Sequence, residues 1–204
     1  MPRKVDHNER RAAIANVVEK LVFERGIEAL TIRDVAKELG YSTTIVSHYF
    51  SSKLEMLLFT HQTSRSRAEK TLREAIDEET DLLECLEVLL PISKERWRDW
   101  HTWFAFWGMA PEDPSVSDEW RTGTSEANML FARLVQRAQA KGQISMDVDA
   151  RAAATEIQIY INGIASLVAQ DRKSWPADRQ KDLLRHLLSA RLLAAAPPAC
   201  PVSG

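Results

Sequence analysis

The chain has 204 residues, 45% of them hydrophobic and 27% charged, with a net charge of −2; it is long enough to bury a core in one or two domains without covalent staples. Its two cysteines, Cys85 and Cys200, stand far apart with no CxxC or CxxxH spacing, which argues against a structural disulfide or a zinc site. No apolar run approaches the ~20 residues of a membrane span, and the charged start MPRKVDHNERR has no apolar stretch behind it, so no signal peptide and a cytoplasmic location are expected.

Glycine is scarce and strand alternation is absent, so an all-α fold is expected. Asn8 to Arg25 places Ile14, Val17, Val18, Leu21 and Val22 on one helical stripe, with Gly26 as its stop. Thr31 caps a short helix through Leu39 that Gly40 ends, and Ser42 caps a third, Thr43 to Tyr49. Ser52 and Glu55 form a capping box that opens a long fourth helix to about Glu79, the only element read as joining the first part of the chain to the rest. A helix from Thr80 or Asp81 runs to about Pro91, and Ile92 to Met109 continues it with a kink at the proline. After the break APEDPS come helices from Ser115 to Lys141, from Asp147 to Asp171, and from Pro176 to about Ala195; the tail PPACPVSG is expected to be disordered.

The turn at Gly40 and Tyr41 gives the second and third helices the spacing of a helix-turn-helix. Ile45, Val46 and Phe50 are expected to face Ile32, Val35, Ala36 and Leu39, which leaves Thr43, Thr44, Ser47 and His48 outward. Short hydroxyls and an imidazole suit base edges in a major groove. Tyr49, Lys53 and the backbone amides at Thr31 and Ser52 are placed to grip phosphates, with Arg33 and Tyr41 completing the candidate set. Residues 1–73 hold 13 Lys and Arg against 9 Asp and Glu, whereas the other 131 hold 14 against 20. A positive head on an acidic body supports nucleic-acid contact by the first part alone.

The segment RAAIANVVEKLVFERGIEALTIRDVAKELGYSTTIVSHYFSSKLEMLL, within Asn8 to Leu58, resembles the N-terminal domain of the TetR (tetracycline-repressor) family. The resemblance implies a homodimeric repressor: residues 1–58 a helix-turn-helix domain binding a palindromic operator, 59–196 a domain for a small-molecule inducer and dimerisation, 197–204 a tail. The family often has a small residue where Thr44 stands and a tyrosine where Ser47 stands. The S-x-x-I-x-S-H-Y-F version and the segment WRDWHTWFAFWG are similar to the choline-responsive betaine-synthesis repressor branch.

In the second part, Trp100, Trp103, Phe104 and Trp107 share a helical face that could wall a site for a quaternary ammonium, with Tyr160, Asn162 or Glu156 adding a polar contact. Plain core packing explains the same spacing. Ile157, Ile161, Ile164 and Val168, with Leu183, Leu184, Leu187, Leu188 and Leu192, form stripes expected to close a four-helix interface between two chains through helices 147–171 and 176–195. The five histidines are scattered and no catalytic or metal-ligand spacing occurs, so no cofactor, metal or catalytic residue is expected. A small-molecule-binding helical protein or an enzyme without DNA binding stays as the alternative.

Overall fold

The computed structural model describes residues 7–78, 80–109 and 113–192. Arg3, Lys4, Cys200, residues 110–112 of the break after Met109 and the whole tail from 197 lie outside them. The described residues form nine α-helices and one 3-10 turn, with no strand: α1 His7–Arg25, α2 Ile32–Leu39, α3 Thr43–Tyr49, α4 Lys53–Asp77, α5 Leu82–Glu87, α6 Lys94–Met109, α7 Pro114–Ala140, α8 Ala150–Gln170, the 3-10 turn Arg172–Ser174, and α9 Ala177–Arg191. None is long and apolar enough to cross a membrane.

The chain divides into two compact units, Met1–Glu74 with Pro91–Ser125, and Ala75–Leu90 with Glu126–Gly204. In the first, local chemistry sets the helix ends. Thr31 Oγ1 accepts the Asp34 amide at 3.1 Å. Gly40 takes φ +68°, a conformation glycine adopts without a Cβ penalty, and the next amide, Tyr41, donates to the Ala36 carbonyl at 2.8 Å, which ends α2 in one residue. Ser42 Oγ accepts from the Ile45 amide at 3.4 Å and Ser52 Oγ from Glu55 at 3.0 Å. The reciprocal half of that second box reaches one residue further back than the sequence implies, because Glu55 Oε2 accepts the Ser51 amide at 2.7 Å. The opposite oxygen of Glu55 accepts from Arg11 at 3.1 Å, tying α4 to α1.

The core of this unit joins Ile14, Val18, Leu21 and Val22 of α1 to Val35 and Ala36 of α2, Val46 and Phe50 around α3, and Met56 and Leu57 of α4. Burial of a side chain such as Phe50 contributes about 1.5–3 kcal/mol. Two sequence expectations change here. Ile45 does not face α2 but is 43% exposed, because a helix of only two turns has room for one buried stripe, which Val46 takes. The fourth helix is also not the only tie to the head: Phe106 of α6 and Val116 of α7 lie in the same buried cluster, and α1 packs closely on α6.

Pro91 breaks the chain rather than kinking one helix. It cannot donate a helical hydrogen bond, α5 has already ended at Glu87, and α6 starts afresh with Ser93 Oγ accepting the Arg96 amide at 3.1 Å. In the second unit, α8 is capped by Asp149, whose Oδ1 accepts from Ala152 at 2.7 Å, rather than by Asp147. Ile157, Ile161, Ile164 and Val168 are each at most 3% exposed, and Leu184, Leu188 and Leu192 at most 5%. These residues of the stripes expected between two chains therefore pack inside one, while Leu183 and Leu187 of α9 remain half-buried.

Candidate nucleic-acid interface and aromatic face

On α3, Val46 and the following Phe50 anchor one side, and Thr43, Thr44, Ser47 and His48 are all exposed on the other. None of the four is consumed by the caps, which use Thr31 and Ser42 instead. Exposed Ile45 adds an apolar group to that surface. Arg33 is exposed on α2 and, with Asp34, Ala36, Lys37, Tyr41 and Thr43, lines a recess beside the start of α3.

The flanking candidates are already positioned. Tyr41 is half-buried, its hydroxyl accepting from Arg10, whose guanidinium lies 5.6 Å from the ring. Tyr49 packs against His7 at 4.8 Å and His48 at 5.3 Å. Lys53 donates to the Glu28 carbonyl at 3.3 Å, at the edge of hydrogen-bond range. His7 and Arg10, one turn apart at the start of α1, join this surface although the sequence reading passed them over. Their partners stand more than 30 residues away, beyond any local pattern.

Within the same unit, α6 carries the rings. Trp100 is 2% exposed and meets Trp103 edge-on at 4.8 Å, Phe104 at 5.5 Å and Trp107 at 6.5 Å. Trp107 meets Phe104 at 4.9 Å and Trp120 of α7 at 5.0 Å. The tilted and edge-to-face geometries are those that aromatic quadrupoles favour. The indole Nε1 atoms of Trp103 and Trp107 are buried without a hydrogen-bond partner, a state that costs about 1–3 kcal/mol for each polar group left unsatisfied.

Beside Trp120, His61 of α4 is 4% exposed, with its ring 4.8 Å from Phe106 and Nδ1 at 3.5 Å from Glu119 Oε1, an ion-pair distance without a hydrogen bond. Glu119 accepts from Gln62 at 2.7 Å and Arg65 at 3.3 Å. Burial pushes its carboxyl up, but the donors around it more than offset this and hold it below the usual carboxylate range. Tyr160 belongs to the second unit, where its hydroxyl donates to Glu156 at 3.0 Å while Arg191 donates to the other carboxylate oxygen at 3.3 Å.

Residues 78–193 match the family model described as "BetI-type transcriptional repressor, C-terminal", and residues 16–58 that of "Bacterial regulatory proteins, tetR family". The HTH-type transcriptional regulator PksA of Bacillus subtilis is 27% identical over 194 residues, covering 92% of this chain and 90% of that one. The HTH-type transcriptional regulator BetI of Burkholderia mallei is 28% identical over 160 residues, covering 69% and 77%. A transcriptional regulator from Saccharomonospora viridis, solved in complex with choline, has the same fold, with a TM-score of 0.80 at 23% identity over 92% of this chain and 100% of that one. The chain belongs to the TetR family of transcriptional regulators, with a C-terminal region of the BetI type.

Proposed function

We propose that the protein is a repressor that binds a twofold-symmetric operator as a homodimer through α3 and changes its affinity when a small organic cation occupies the aromatic face of α6. The observation that carries the reading is the free polar side of α3: Thr43, Thr44, Ser47 and His48 point away from a core that Val46 and Phe50 hold, with no cap using them. Hydroxyls and an imidazole discriminate base edges by donor and acceptor pattern, and exposed Ile45 adds an apolar contact suited to a thymine methyl. Tyr49, Tyr41, Arg33, Lys53 and the amides at Thr31 fix the backbone register without reading sequence.

A helix of seven residues reads only a few bases, so two copies ~34 Å apart are needed for affinity. Their pairing uses α8 and α9, on α8 through a face other than the one first expected. On α8, Ile159 is 61% and Leu167 37% exposed, and Gly163 between them is also exposed, a stripe on the side away from the buried one. Large apolar groups in such a row favour burial against a second copy, and the glycine permits close helix approach.

For the ligand, the half-buried rings of Trp103, Phe104, Trp107 and Trp120 offer π-faces to a cation, with buried Trp100 packed against the first three. The two unpartnered indole N–H groups favour a cation that also carries an acceptor oxygen, as choline does. The choline held by the regulator of the same fold makes it the first compound to test. Adding choline to the full-length protein and following tryptophan emission should give a saturable change. A plain tetramethylammonium ion, which lacks the acceptor, should bind more weakly by about tenfold, since one hydrogen bond is worth about 1 kcal/mol or slightly more. Equal affinity for the two would remove the indole assignment, and no response to either would remove the cation.

A further inference from the structure

Two carboxylates in the first unit are almost wholly buried, and neither belongs to the surfaces described above: Glu19 of α1 is 0% exposed and Asp99 of α6 is 2% exposed. One guanidinium serves both. Arg67 of α4 donates from Nη2 to Glu19 Oε1 at 2.7 Å and to Asp99 Oδ1 at 2.5 Å. Asp99 has further donors, Ser64 at 3.1 Å and Arg96 at 3.2 Å. Glu19 is less well served, because its second oxygen makes no hydrogen bond and stands 3.7 Å from Arg98 Nε. Burial accordingly pushes the Glu19 carboxyl up, against the pull of Arg67.

An ion cluster with buried carboxylates adds little to stability compared with a well-packed apolar contact, yet removing one partner is costly, even though the Arg67 side chain is itself 37% exposed. Its consequence is geometric. Directed short contacts at a joint of three helices tolerate one arrangement, and a small displacement of one helix forces Arg67 to give up one carboxylate. The positions matter here. Asp99 immediately precedes Trp100 and lies one helical turn before Trp103 on the same stretch of α6. Glu19 sits on the helix whose Ile14, Val18 and Val22 share the core that holds α2 and α3.

We infer that Arg67 is a positioning residue that couples the aromatic face of α6 to the reading helix, by holding Glu19 of α1 and Asp99 of α6 in a single register that ligand occupancy shifts. The inference rests on the aromatic face being the ligand site. The path does not run through α4 alone, since α1 and α6 are in direct contact: besides the ion cluster, Phe23 of α1 meets His101 of α6 at 5.1 Å. A linkage of this kind transmits only the difference in free energy between two registers, which for coupled sites is typically a factor of about 5 or more.

The test uses the full-length protein without DNA or ligand, so that it stands or falls separately from the titrations above. Hydrogen exchange of the α1 amides is measured in the unaltered protein, Trp103→Ala, Arg67→Lys and the double variant. Trp103→Ala should change α1 exchange by about fivefold relative to α8, and in the Arg67→Lys background that change should fall below about twofold. An equal change in both backgrounds, even if Arg67→Lys raises exchange throughout the unit, would show that Arg67 only stabilises and would overturn the inference. No change at α1 from Trp103→Ala would overturn it as well. Should Arg67→Lys fail to fold, Glu19→Gln in the same cycle removes one of the two carboxylate charges that Arg67 holds, at nearly constant shape, and decides between the same outcomes.

Discussion

The outward face of α3 and the aromatic face of α6 are both helix faces in the same unit, but they are built at different ranges. On α3 the caps, the stop and the buried anchors all lie within a few residues: Ser42 on Ile45, Gly40 before the turn, Val46 and Phe50 below. On α6 the spacing of rings is local, while what surrounds them comes from elsewhere, Trp120 from α7 and His61 from α4. A surface for a large rigid partner such as duplex DNA can be specified locally because the partner supplies the other half. A pocket must be closed by the chain itself.

If that contrast is right, the largest effect comes from removing the local anchor. Phe50→Ala should cost about 3–5 kcal/mol by leaving a cavity under α3, and chemical unfolding followed by circular dichroism should show it; a loss below 1 kcal/mol would mean α3 is held by something else. Next come the base-reading groups. His48→Ala and Ser47→Ala should each cost about 1–3 kcal/mol on a preferred duplex and much less on random sequence. Lys53→Ala should weaken both equally and reduce the salt slope by about 1. Fluorescence anisotropy at several salt concentrations separates these two patterns, and equal losses for all three variants would dissolve the distinction between reading and gripping.

A smaller effect sharpens the other side of the comparison. A Cβ built on Gly123 would stand 2.8 Å from Arg65 Cδ. Gly123→Ala should therefore push Arg65 off Glu119, at about 1 kcal/mol of stability, and alter the tryptophan environment through Trp120. The same substitution at exposed Gly163, inside α8, meets nothing in the chain and should stabilise the isolated fold by up to about 1 kcal/mol through helix propensity alone.

The smallest effect is in pH. The Thr31 hydroxyl holds the Asp34 carboxyl below the usual range, and the Ser51 hydroxyl does the same for Glu55. Depressed values mean that the contribution is present above the ordinary carboxylate range and is lost as pH falls below about 4, through the lowered native values. Proton titration by NMR should show both carboxyls protonating late, and Thr31→Ala should return Asp34 toward its ordinary value.

The all-α class, the first three helices and the helix-turn-helix were legible because their signals are short-range: a hydroxyl before a helix, a glycine after one, a stripe at helical period. Ile45 was misplaced because periodicity allots faces without knowing how wide the partner is, and two turns of helix bury only one row. Pro91 was read as a kink because propensity continues on both sides of it, and only Ser93 as a cap betrays the new start. The stripes on α8 and α9 were legible as apolar but not as internal, since burial within one chain and burial between two leave the same pattern. The ion cluster of Glu19, Arg67 and Asp99 left no local signal, because each member looks like an ordinary surface charge until three helices meet.

The central claim is that the free side of α3, presented twice by a symmetric pair, reads duplex DNA under control of the α6 face. Titrating the full-length protein into a labelled duplex from the control region of its own gene, with and without choline, tests it most directly. The account predicts two chains per duplex, affinity that falls steeply with salt, and a choline-dependent change of about fivefold or more. Single chains that bind no duplex at low salt, or duplex binding untouched by substitution of Ser47 and His48, would contradict it.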